Sequence, residues 1–334
     1  NVSVCGGNTA NTEFEFLTGN TMAFLPQGSI PYQQYINGDL KALPDYLKTL
    51  GYQTIATHPY NAGGWERDTV YPMLGFNESV FKDDYVNPQY VRQYISDAAT
   101  YDKIIELYEN KGDSPMFVFD VTMQNHSSYD DTDYTFENPV KLTSMTLQPE
   151  AEQYLSLIKM SDNALKELIT YFEKVKQPVI IVLFGDHQPH LPDYFYKNVM
   201  GEMPDDLSQK DAMKRYQVPF MIWANYDIQA AEIPQISINY LSTLMTETAG
   251  LKLTDYQKFL LDMYQYIPSI TANGFYDRQG NLYSWDDLDE ADAELQEWIK
   301  EYRILQYNYL FDEEHRKDAH YQLKEKMIWG KKET

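Results

Sequence analysis

An aspartate and a histidine stand side by side directly after an apolar run. The run covers residues 178–184, and Gly185 separates it from Asp186 and His187. Consecutive apolar residues, several of them β-branched, predict a strand covered on both faces. Because open α/β sheets place ligand sites at the carboxyl ends of strands, this carboxylate and imidazole can face one divalent ion. Taken alone, the pair is explained equally well by a turn whose aspartate caps a helix.

A threonine follows two glycines at the other end of the chain. Gly6, Gly7 and Thr9 precede a segment with helical spacing, and Thr12 and Glu15 are spaced as in a capping box. At a helix start, a hydroxyl lies beside free backbone N–H groups and the positive helix end. That position suits an oxygen nucleophile attacking phosphorus. The simpler alternative is an ordinary N-cap threonine.

Two further loops carry side chains suited to an anionic ligand. Residues 58–68 contain His58, Trp65 and Arg67, and His126 follows a second apolar segment. An arginine offers a planar fork to phosphate oxygens, and a tryptophan offers a flat apolar wall to a polyol or acyl glycerol. A histidine can bind phosphate or protonate a leaving group. The alternatives are a surface ion pair for Arg67 and a backbone-bonded His126.

The elements around these residues alternate between strand-like and helical patterns up to about residue 224, which predicts an α/β sheet. Periodicity predicts helices at 9–18, within 33–50, and at 96–110, 150–175, 238–249, 255–266 and 285–300. It predicts strands at 51–57, 115–122, 178–184 and 218–224, with a hairpin turn at 277–281. The highly charged end, residues 313–334, is predicted to be a solvated helix or tail.

Composition excludes some classes of partner. The net charge is -23, which argues against nucleic acid and against broad adsorption to anionic membranes. Cys5 is the single cysteine, so an intrachain disulfide is impossible. No apolar run approaches the roughly 20 residues of a membrane span, and no signal peptide is visible. The abrupt start at Asn1 leads us to expect a truncated or processed product.

Several motifs together resemble the lipoteichoic acid synthase-like phosphoglycerol transferases. In order they are Gly-x-Thr-x-x-x-Glu-Phe at 7–14, Trp-x-Arg-Asp at 65–68, Met-x-x-His at 123–126, Phe-Gly-Asp-His-Gln-Pro at 184–189 and Ile-Pro-x-Ile-x-Ala-Asn-Gly-Phe-Tyr-Asp at 267–277. The resemblance implies one alkaline phosphatase/sulfatase-like domain over 1–334, with a central mixed sheet flanked by helices. Residues 1–230 would form its main α/β body, and 231–334 its C-terminal helices and small β element.

The resemblance also implies roles for the residues singled out above. Thr9 would be the nucleophile that takes phosphoglycerol from a phosphatidylglycerol-type lipid and releases diacylglycerol. Asp186 and His187 would bind Mn²⁺ or Mg²⁺ together with the Thr9 oxygen. The glycerol phosphate would be held by His58, Trp65, Arg67 and His126, of which His126 would also act as a catalytic acid. The acceptor would be a glycerol-phosphate polymer or a glycan. The enzyme would serve lipoteichoic acid and cell-wall synthesis at the outer face of the bacterial membrane, its anchor lying outside this chain.

The chain departs from the family pattern at two points. Family members carry an acidic metal ligand on a strand upstream of the nucleophile, and this sequence contains neither, so we expect the first strand to be missing. Asn8 stands where some members carry lysine. Three alternatives remain open: a phosphoethanolamine transferase, a phosphodiesterase on the same fold, and a non-catalytic protein that binds glycerol-phosphate polymer. A sulfatase is disfavoured because Cys5 lacks the Cys/Ser-x-Pro-x-Arg setting of formylglycine formation.

Overall fold

A computed structural model describes residues 1–143 and 148–323 and has a mixed α/β architecture. The helices are α1 Thr9–Thr18, α2 Pro31–Gln34, α3 Leu43–Thr49, α4 Arg67–Met73, α5 Asp97–Asn110, α6 Pro149–Phe172, α7 Asp193–Met200, α8 Gln209–Ala212, α9 Ile238–Thr248, α10 Asp255–Tyr264 and α11 Ala293–Phe311. The strands are β1 Val2–Ser3, β2 Gln53–His58, β3 Glu78–Phe81, β4 Tyr90–Val91, β5 Tyr94–Ile95, β6 Met116–Asp120, β7 Ile180–Phe184, β8 Gln217–Val218, β9 Phe220–Ala224, β10 Ile236–Ser237, β11 Ser269–Thr271, β12 Gly274–Tyr276 and β13 Leu282–Tyr283.

The sheet is mixed, as predicted, and its strands pair in several groups. Strands β3, β2 and β6 run parallel, with Thr57 opposite Asp120 at their carboxyl ends. Strands β7 and β9 are antiparallel, and β1 joins parallel β10 to antiparallel β8. The predicted small C-terminal β element is confirmed as the antiparallel sheet β11–β12–β13.

Helix α1 lies at the centre of the core. Every residue of the helix after Thr9 is buried, and the helix packs against α9. Gly19 ends it in the left-handed conformation at φ 69°, where its N–H donates to the Glu15 carbonyl. Glycine adopts this conformation without steric cost, so the predicted stop is confirmed. The helix therefore holds its first residue on a rigid, fully packed support.

The strands β6 and β7 are less covered than their sequences predict. Most of their residues are only half-buried, and Leu183 is 37% exposed. The prediction of strands covered on both faces was therefore wrong. Within the described residues, β6 pairs only with β2 and β7 only with β9, so each strand leaves one edge unpaired and its side chains partly open.

Three element boundaries also differ from prediction. The helix predicted at 285–300 begins only at Ala293, because Ser284 and Asp287 form a side-chain-bonded turn before it. Residues 33–50 divide into the end of α2 and α3, and the loop predicted at 58–68 already becomes helical at Arg67. Residues 313–315 and 318–321 form short 3₁₀ turns, and the predicted tail beyond residue 323 lies outside the described residues.

Candidate functional site

The loop before α1 is shaped by two glycines that other residues could not replace without strain. Gly6 and Gly7 have φ values of 86° and 81°, and a Cβ on Gly6 would lie 2.9 Å from the ring of Tyr216. Asn8 is the N-cap but makes no side-chain capping bond, and the first turn holds no acidic residue. Thr9 is therefore the first helical residue, beside uncapped N–H groups that favour an anion.

The hydroxyl of Thr9 contacts Asp186, which the family resemblance groups with it at one metal site. Its Oγ1 donates to Oδ2 of Asp186 over 2.7 Å, although 177 positions separate the two residues. The Thr12 hydroxyl donates to the Asp186 carbonyl oxygen, also over 2.7 Å. The predicted Thr12–Glu15 capping box is wrong, because Glu15 instead accepts from the Thr21 hydroxyl and the Met22 N–H.

His187 completes this open part of the site. Its Nδ1 lies 2.8 Å from the Gln188 carbonyl oxygen, which can only accept, so Nδ1 carries the proton in the neutral ring. Its Nε2 lies 3.3 Å from Oδ2 of Asp186. The side chains of Asp186 and His187 are 40% and 28% exposed, so a ligand can reach both.

These donors fit a divalent ion in kind. A carboxylate oxygen, an imidazole nitrogen and a hydroxyl converge on one point, a mixed set that divalent ions accept. Within residues 1–143 and 148–323, no group of three or more histidine, cysteine, aspartate or glutamate side chains could hold a metal. The three donors therefore have the chemical types that a divalent ion binds, but they are few.

His58 is enclosed by protein on both sides of its ring. The side chain is 2% exposed, and Nδ1 lies 2.8 Å from the Val121 carbonyl oxygen. Nε2 lies 3.2 Å from Nη1 of Arg67, which can only donate, so Nε2 accepts and Nδ1 carries the proton. Burial, assisted by the Arg67 charge, lowers the pKa of His58 to about 4. The ring is neutral, and both of its nitrogens are engaged.

Arg67 is equally buried, in an ion pair with Glu13. Its Nη2 lies 2.5 Å and its Nε 3.1 Å from Oε1 of Glu13, and Nη1 also donates to the Gly64 carbonyl oxygen. Burial alone would raise the pKa of Glu13, but the Arg67 charge lowers it, so the carboxylate is ionised. The hydroxyls of Tyr32 and Tyr71 donate to its Oε2. Together with the bond to His58, Arg67 therefore uses four of its five guanidinium N–H groups.

Trp65 lies in a strained turn between β2 and α4. Trp65 and Glu66 both have positive φ values, 57° and 59°, which non-glycine residues rarely adopt. The indole is half-buried and packs against the main core. Strain of this kind persists only where surrounding contacts impose it, and here the turn leads directly into Arg67.

His126 is exposed and belongs to an aromatic corner of the site. Its Nδ1 lies 2.8 Å from the Ser127 carbonyl oxygen, so Nε2 is the nitrogen left for a ligand. The ring of Tyr94 lies 5.6 Å away, centroid to centroid. A charge on His126 would further lower the pKa of His58, so the two imidazoles are close enough to interact. Arg92, which sequence reasoning did not single out, donates to the carbonyl oxygens of Gln124 and His126.

The structure thus sorts the predicted residues into two groups. Thr9, Asp186 and His187 meet directly at an accessible point, whereas His58 and Arg67 meet each other in the interior. The residue that joins the groups, Glu13, was part of a recognised motif but had no predicted role. Its spacing of four residues from Thr9, which puts both on one helix face, was the available signal.

Comparison with known proteins now identifies the family. A family model described as Sulfatase matches residues 1–251. A Rhizobium meliloti (strain 1021) protein named for cyclic β-1,2-glucan modification is 32% identical over 317 residues, covering 92% of this chain and 48% of that protein. The capsular polysaccharide biosynthesis protein RkpI of the same organism is 30% identical over 193 residues, covering 57% of this chain and 34% of RkpI. The chain spans about half or less of the length of these relatives.

Solved structures share the fold at low sequence identity. The phosphoglycerol transferase GacH of Streptococcus pyogenes, in complex with sn-glycerol-1-phosphate, has a TM-score of 0.72 at 21% identity, covering 94% of this chain and 78% of GacH. The lipoteichoic acid synthase LtaP of Listeria monocytogenes has a TM-score of 0.60 at 18% identity, covering 91% and 82%. A Vibrio parahaemolyticus protein of the alkaline phosphatase superfamily has a TM-score of 0.63 at 18% identity, covering 92% of this chain and 78% of that protein. The fold is therefore alkaline phosphatase/sulfatase-like, and the chain belongs to the sulfatase family.

Proposed function

We propose that this chain is the catalytic domain of a metal-dependent phosphoglycerol transferase that works through a Thr9-linked intermediate. The observation that carries the proposal is the 2.7 Å hydrogen bond from the Thr9 hydroxyl to Asp186 at the start of α1. A nucleophilic hydroxyl needs an adjacent base and a site for developing negative charge. Asp186 is the base, and the uncapped helix end stabilises the phosphoryl oxygens.

The reaction has two displacements. The Thr9 oxygen attacks the phosphorus of a phosphatidylglycerol-type donor while its proton passes to Oδ2 of Asp186. The bond to the diacylglycerol oxygen breaks, and that oxygen takes a proton from protonated Nε2 of His126. An acceptor hydroxyl then attacks phosphorus and gives its proton to His126, and Thr9 leaves with the proton held by Asp186.

Asp186, His187 and Thr9 are the residues that would hold a divalent ion, Mn²⁺ or Mg²⁺. Such an ion supplies positive charge that offsets the charges of the phosphate and of the ionising hydroxyl. The partly exposed carboxylate of Asp186 and imidazole of His187 support this assignment.

The groups proposed to contact the glycerol phosphate directly are Trp65 and His126. Exposure of the His126 ring and the half-buried indole support them. Direct contact by His58 and Arg67 stays a prediction from the family resemblance. The contacts that bury these two side chains support an indirect part in the site instead.

We further propose that the acceptor is a glycan hydroxyl rather than a glycerol-phosphate polymer, so that the role in lipoteichoic acid synthesis is not favoured. The support is the 32% identity, over 92% of the chain, to a relative named for glucan modification. We propose that the reaction takes place at the outer face of the bacterial membrane, with a lipid of that membrane as the donor. Within the described residues, no helix has the length and apolar character needed to cross a bilayer.

Sulfuryl-ester hydrolysis is the least favoured activity on this fold. Cys5 lacks the Cys/Ser-x-Pro-x-Arg setting in which formylglycine forms, because Gly7 and Thr9 stand at the positions of its proline and arginine. Phosphoethanolamine transfer and phosphodiester hydrolysis would use the same Thr9 chemistry with a different donor or acceptor. A protein that only binds glycerol-phosphate polymer would form no covalent adduct.

Intact mass after incubation with phosphatidylglycerol and Mn²⁺ tests the proposal. We expect a gain equal to one glycerophosphate unit in the wild-type protein and none in Thr9→Ala. A mass gain of the same size in Thr9→Ala would exclude Thr9 as the nucleophile. A gain with phosphatidylethanolamine alone would change the donor, and no covalent gain with either lipid would favour the binding protein.

A further inference from the structure

We infer that Arg92 is the positioning residue of His126: its guanidinium binds backbone carbonyl oxygens before, at and after His126 and thereby fixes where the imidazole stands in the site. Arg92 acts through His126 and does not itself contact the donor. The expected kinetic effect rests on the function proposed above, in which His126 is the acid and base. The expected structural effect does not, because it concerns only contacts within the chain.

The loop that carries His126 has little structure of its own to hold the ring. Residues 121–130 follow β6 and contain neither helix nor strand. The Gln124 side chain ties the start of this loop to α5, because it accepts from the Asp97 N–H over 3.1 Å. The His126 ring is exposed, and its Nδ1 bonds the carbonyl oxygen of the next residue, Ser127. That partner moves with the same backbone, so this bond alone does not fix the ring relative to Thr9.

Arg92 supplies an anchor from a different part of the chain. Its Nη2 donates to the carbonyl oxygens of Gln124 and His126 over 2.9 and 2.7 Å. Its Nη1 donates to the carbonyl oxygen of Ser128. One planar group with fixed N–H directions thus holds three carbonyl oxygens within five residues. The backbone at His126 therefore cannot rotate without breaking a charge-assisted hydrogen bond.

The backbone conformation of Arg92 is unfavourable for an arginine. Arg92 is the first of the two residues between β4 and β5, and its φ is 54°, a conformation that glycine usually provides in such hairpins. Strain at a non-glycine residue persists where surrounding contacts impose it. Besides the three carbonyl bonds, those contacts are the rings of Tyr94 and Tyr129, whose centroids lie 5.6 and 5.8 Å from the guanidinium carbon. The strained turn is therefore the one that presents the guanidinium to the loop.

Tyr94 connects the same hairpin to the imidazole ring. The centroids of Tyr94 and His126 are 5.6 Å apart. The Tyr94 hydroxyl lies 3.3 Å from Nδ1 of His126 and 3.3 Å from the Ser127 carbonyl oxygen. The hairpin β4–β5 therefore holds the backbone of His126 through Arg92 and its ring through Tyr94, which leaves Nε2 for a ligand.

The test compares Arg92→Gly with Arg92→Lys. Glycine suits the φ of this turn, so Arg92→Gly removes the guanidinium without adding backbone strain and should fold. Lysine keeps the charge, but its single ammonium on a flexible stem cannot hold three carbonyl oxygens in fixed directions. Arg278→Ala is the matched control, since Arg278 also lies in a hairpin turn, between β12 and β13, with its guanidinium 5.5 Å from the ring of Tyr266.

The first readout is the imidazole NMR spectrum of ¹⁵N-labelled protein without substrate, at pH 9, where imidazoles are neutral. In the wild type we expect one form of His126, with its proton on Nδ1, facing the Ser127 carbonyl oxygen. Arg92→Gly and Arg92→Lys should each give a mixture of the two tautomers, because the loop is no longer fixed. Arg278→Ala should match the wild type. A wild-type His126 signal in folded Arg92→Gly would overturn the inference.

The second readout is a double-mutant cycle with His126→Ala, measured as kcat/KM for transfer from phosphatidylglycerol. Arg92→Gly should lower this value ~10- to 100-fold when His126 is present. In the His126→Ala background it should lower the value less than about threefold, because a residue that acts through His126 has nothing left to position. Arg92→Lys should be impaired in the same way, and Arg278→Ala should be unchanged.

Three kinetic outcomes would overturn the inference. An equal loss in both backgrounds would mean that Arg92 acts on the donor or on folding rather than through His126. Wild-type kinetics in Arg92→Gly would mean that the loop needs no anchor, and wild-type kinetics in Arg92→Lys would mean that charge alone suffices. If the wild-type protein transfers nothing, the function proposed above fails, and the NMR result still decides whether Arg92 positions His126.

Discussion

Thr9 and Glu13, which are one turn apart on α1, lie in different environments. Thr9 meets Asp186 and His187 where the side chains are partly open to solvent, and its hydroxyl makes one described side-chain contact. Glu13, one turn deeper, is saturated by Arg67 and two tyrosines in the interior. The same helix therefore keeps the reactive group accessible and the supporting charge enclosed. The reactive hydroxyl of Thr9 and the buried carboxylate of Glu13 are separated by about 6 Å along the helix axis.

The largest effect is expected from removing the accessible hydroxyl of Thr9. Thr9→Ala should reduce formation of the glycerophosphate adduct by at least ~10³-fold, because no other hydroxyl occupies that position. Stability should change by only about 1 kcal/mol, the typical contribution of one partly exposed hydrogen bond. Intact mass and urea unfolding measure the two quantities. Thr132→Ala, at an exposed position, is the control and should change neither.

The next test concerns the base. Asp186→Asn keeps the shape but removes the charge that accepts the Thr9 proton, so adduct formation should fall ~10²- to 10³-fold. The Thr12 bond to the Asp186 backbone is unaffected by this change, so the local fold should persist. Rapid-quench measurement of adduct formation at saturating Mn²⁺ checks the result. A rate within threefold of wild type would remove Asp186 from the mechanism.

On the enclosed side, the expected effect is on stability. Arg67→Ala leaves Glu13 ionised and unpaired in the interior, which should lower the free energy of unfolding by about 3–5 kcal/mol. The family resemblance predicts substrate contact by Arg67, and the buried ion pair adds an expected loss of stability. Urea midpoints for Arg67→Ala and for the exposed Arg278→Ala give the comparison. Equal midpoints would contradict the pairing.

A half-buried carboxylate at the end of β6 gives the fold a pH dependence. Burial raises the pKa of Asp120 to about 7, while the Thr57 hydroxyl bonds to it. The folded protein therefore holds a proton that the unfolded chain releases near pH 4, so this group stabilises the fold most in acid and progressively less up to about pH 7. Asp120→Asn should raise the free energy of unfolding at pH 8 by a few kcal/mol and leave it nearly unchanged at pH 4. Urea curves at both values test this, and an equal shift at both would contradict it.

The smallest expected effect comes from the loop that carries Thr9. Gly6→Ala forces a Cβ against the Tyr216 ring in a backbone conformation that alanine resists, at a cost of about 1–2 kcal/mol. Displacement of the loop should lower kcat more than it changes donor KM. Gly112 also has a positive φ but has open space around it, so Gly112→Ala is the matched control for backbone strain alone. Equal kcat in both variants would show that the contact with Tyr216 does not position Thr9.

Much of the site was predictable because it depends on local patterns. Glycines before a helix start place a hydroxyl at the positive helix end, and a strand followed by glycine places Asp186 and His187 at a sheet edge. Helix α1, its glycine stop and the C-terminal hairpin follow from the same kind of local rule. The exposed faces of β6 and β7 were not predictable, because an apolar run does not reveal how many neighbours a strand has.

The sequence by itself determined which residue types are present, the order of the elements and the positions of Thr9, His126, Asp186 and His187 at element ends. Only the tertiary structure decided how the ionic groups are used. Whether Arg67 faces a phosphate or a carboxylate depends on which side chains 54 positions away share its environment. Local spacing carries no information about that, because burial and long-range pairing set the free energy of a charge.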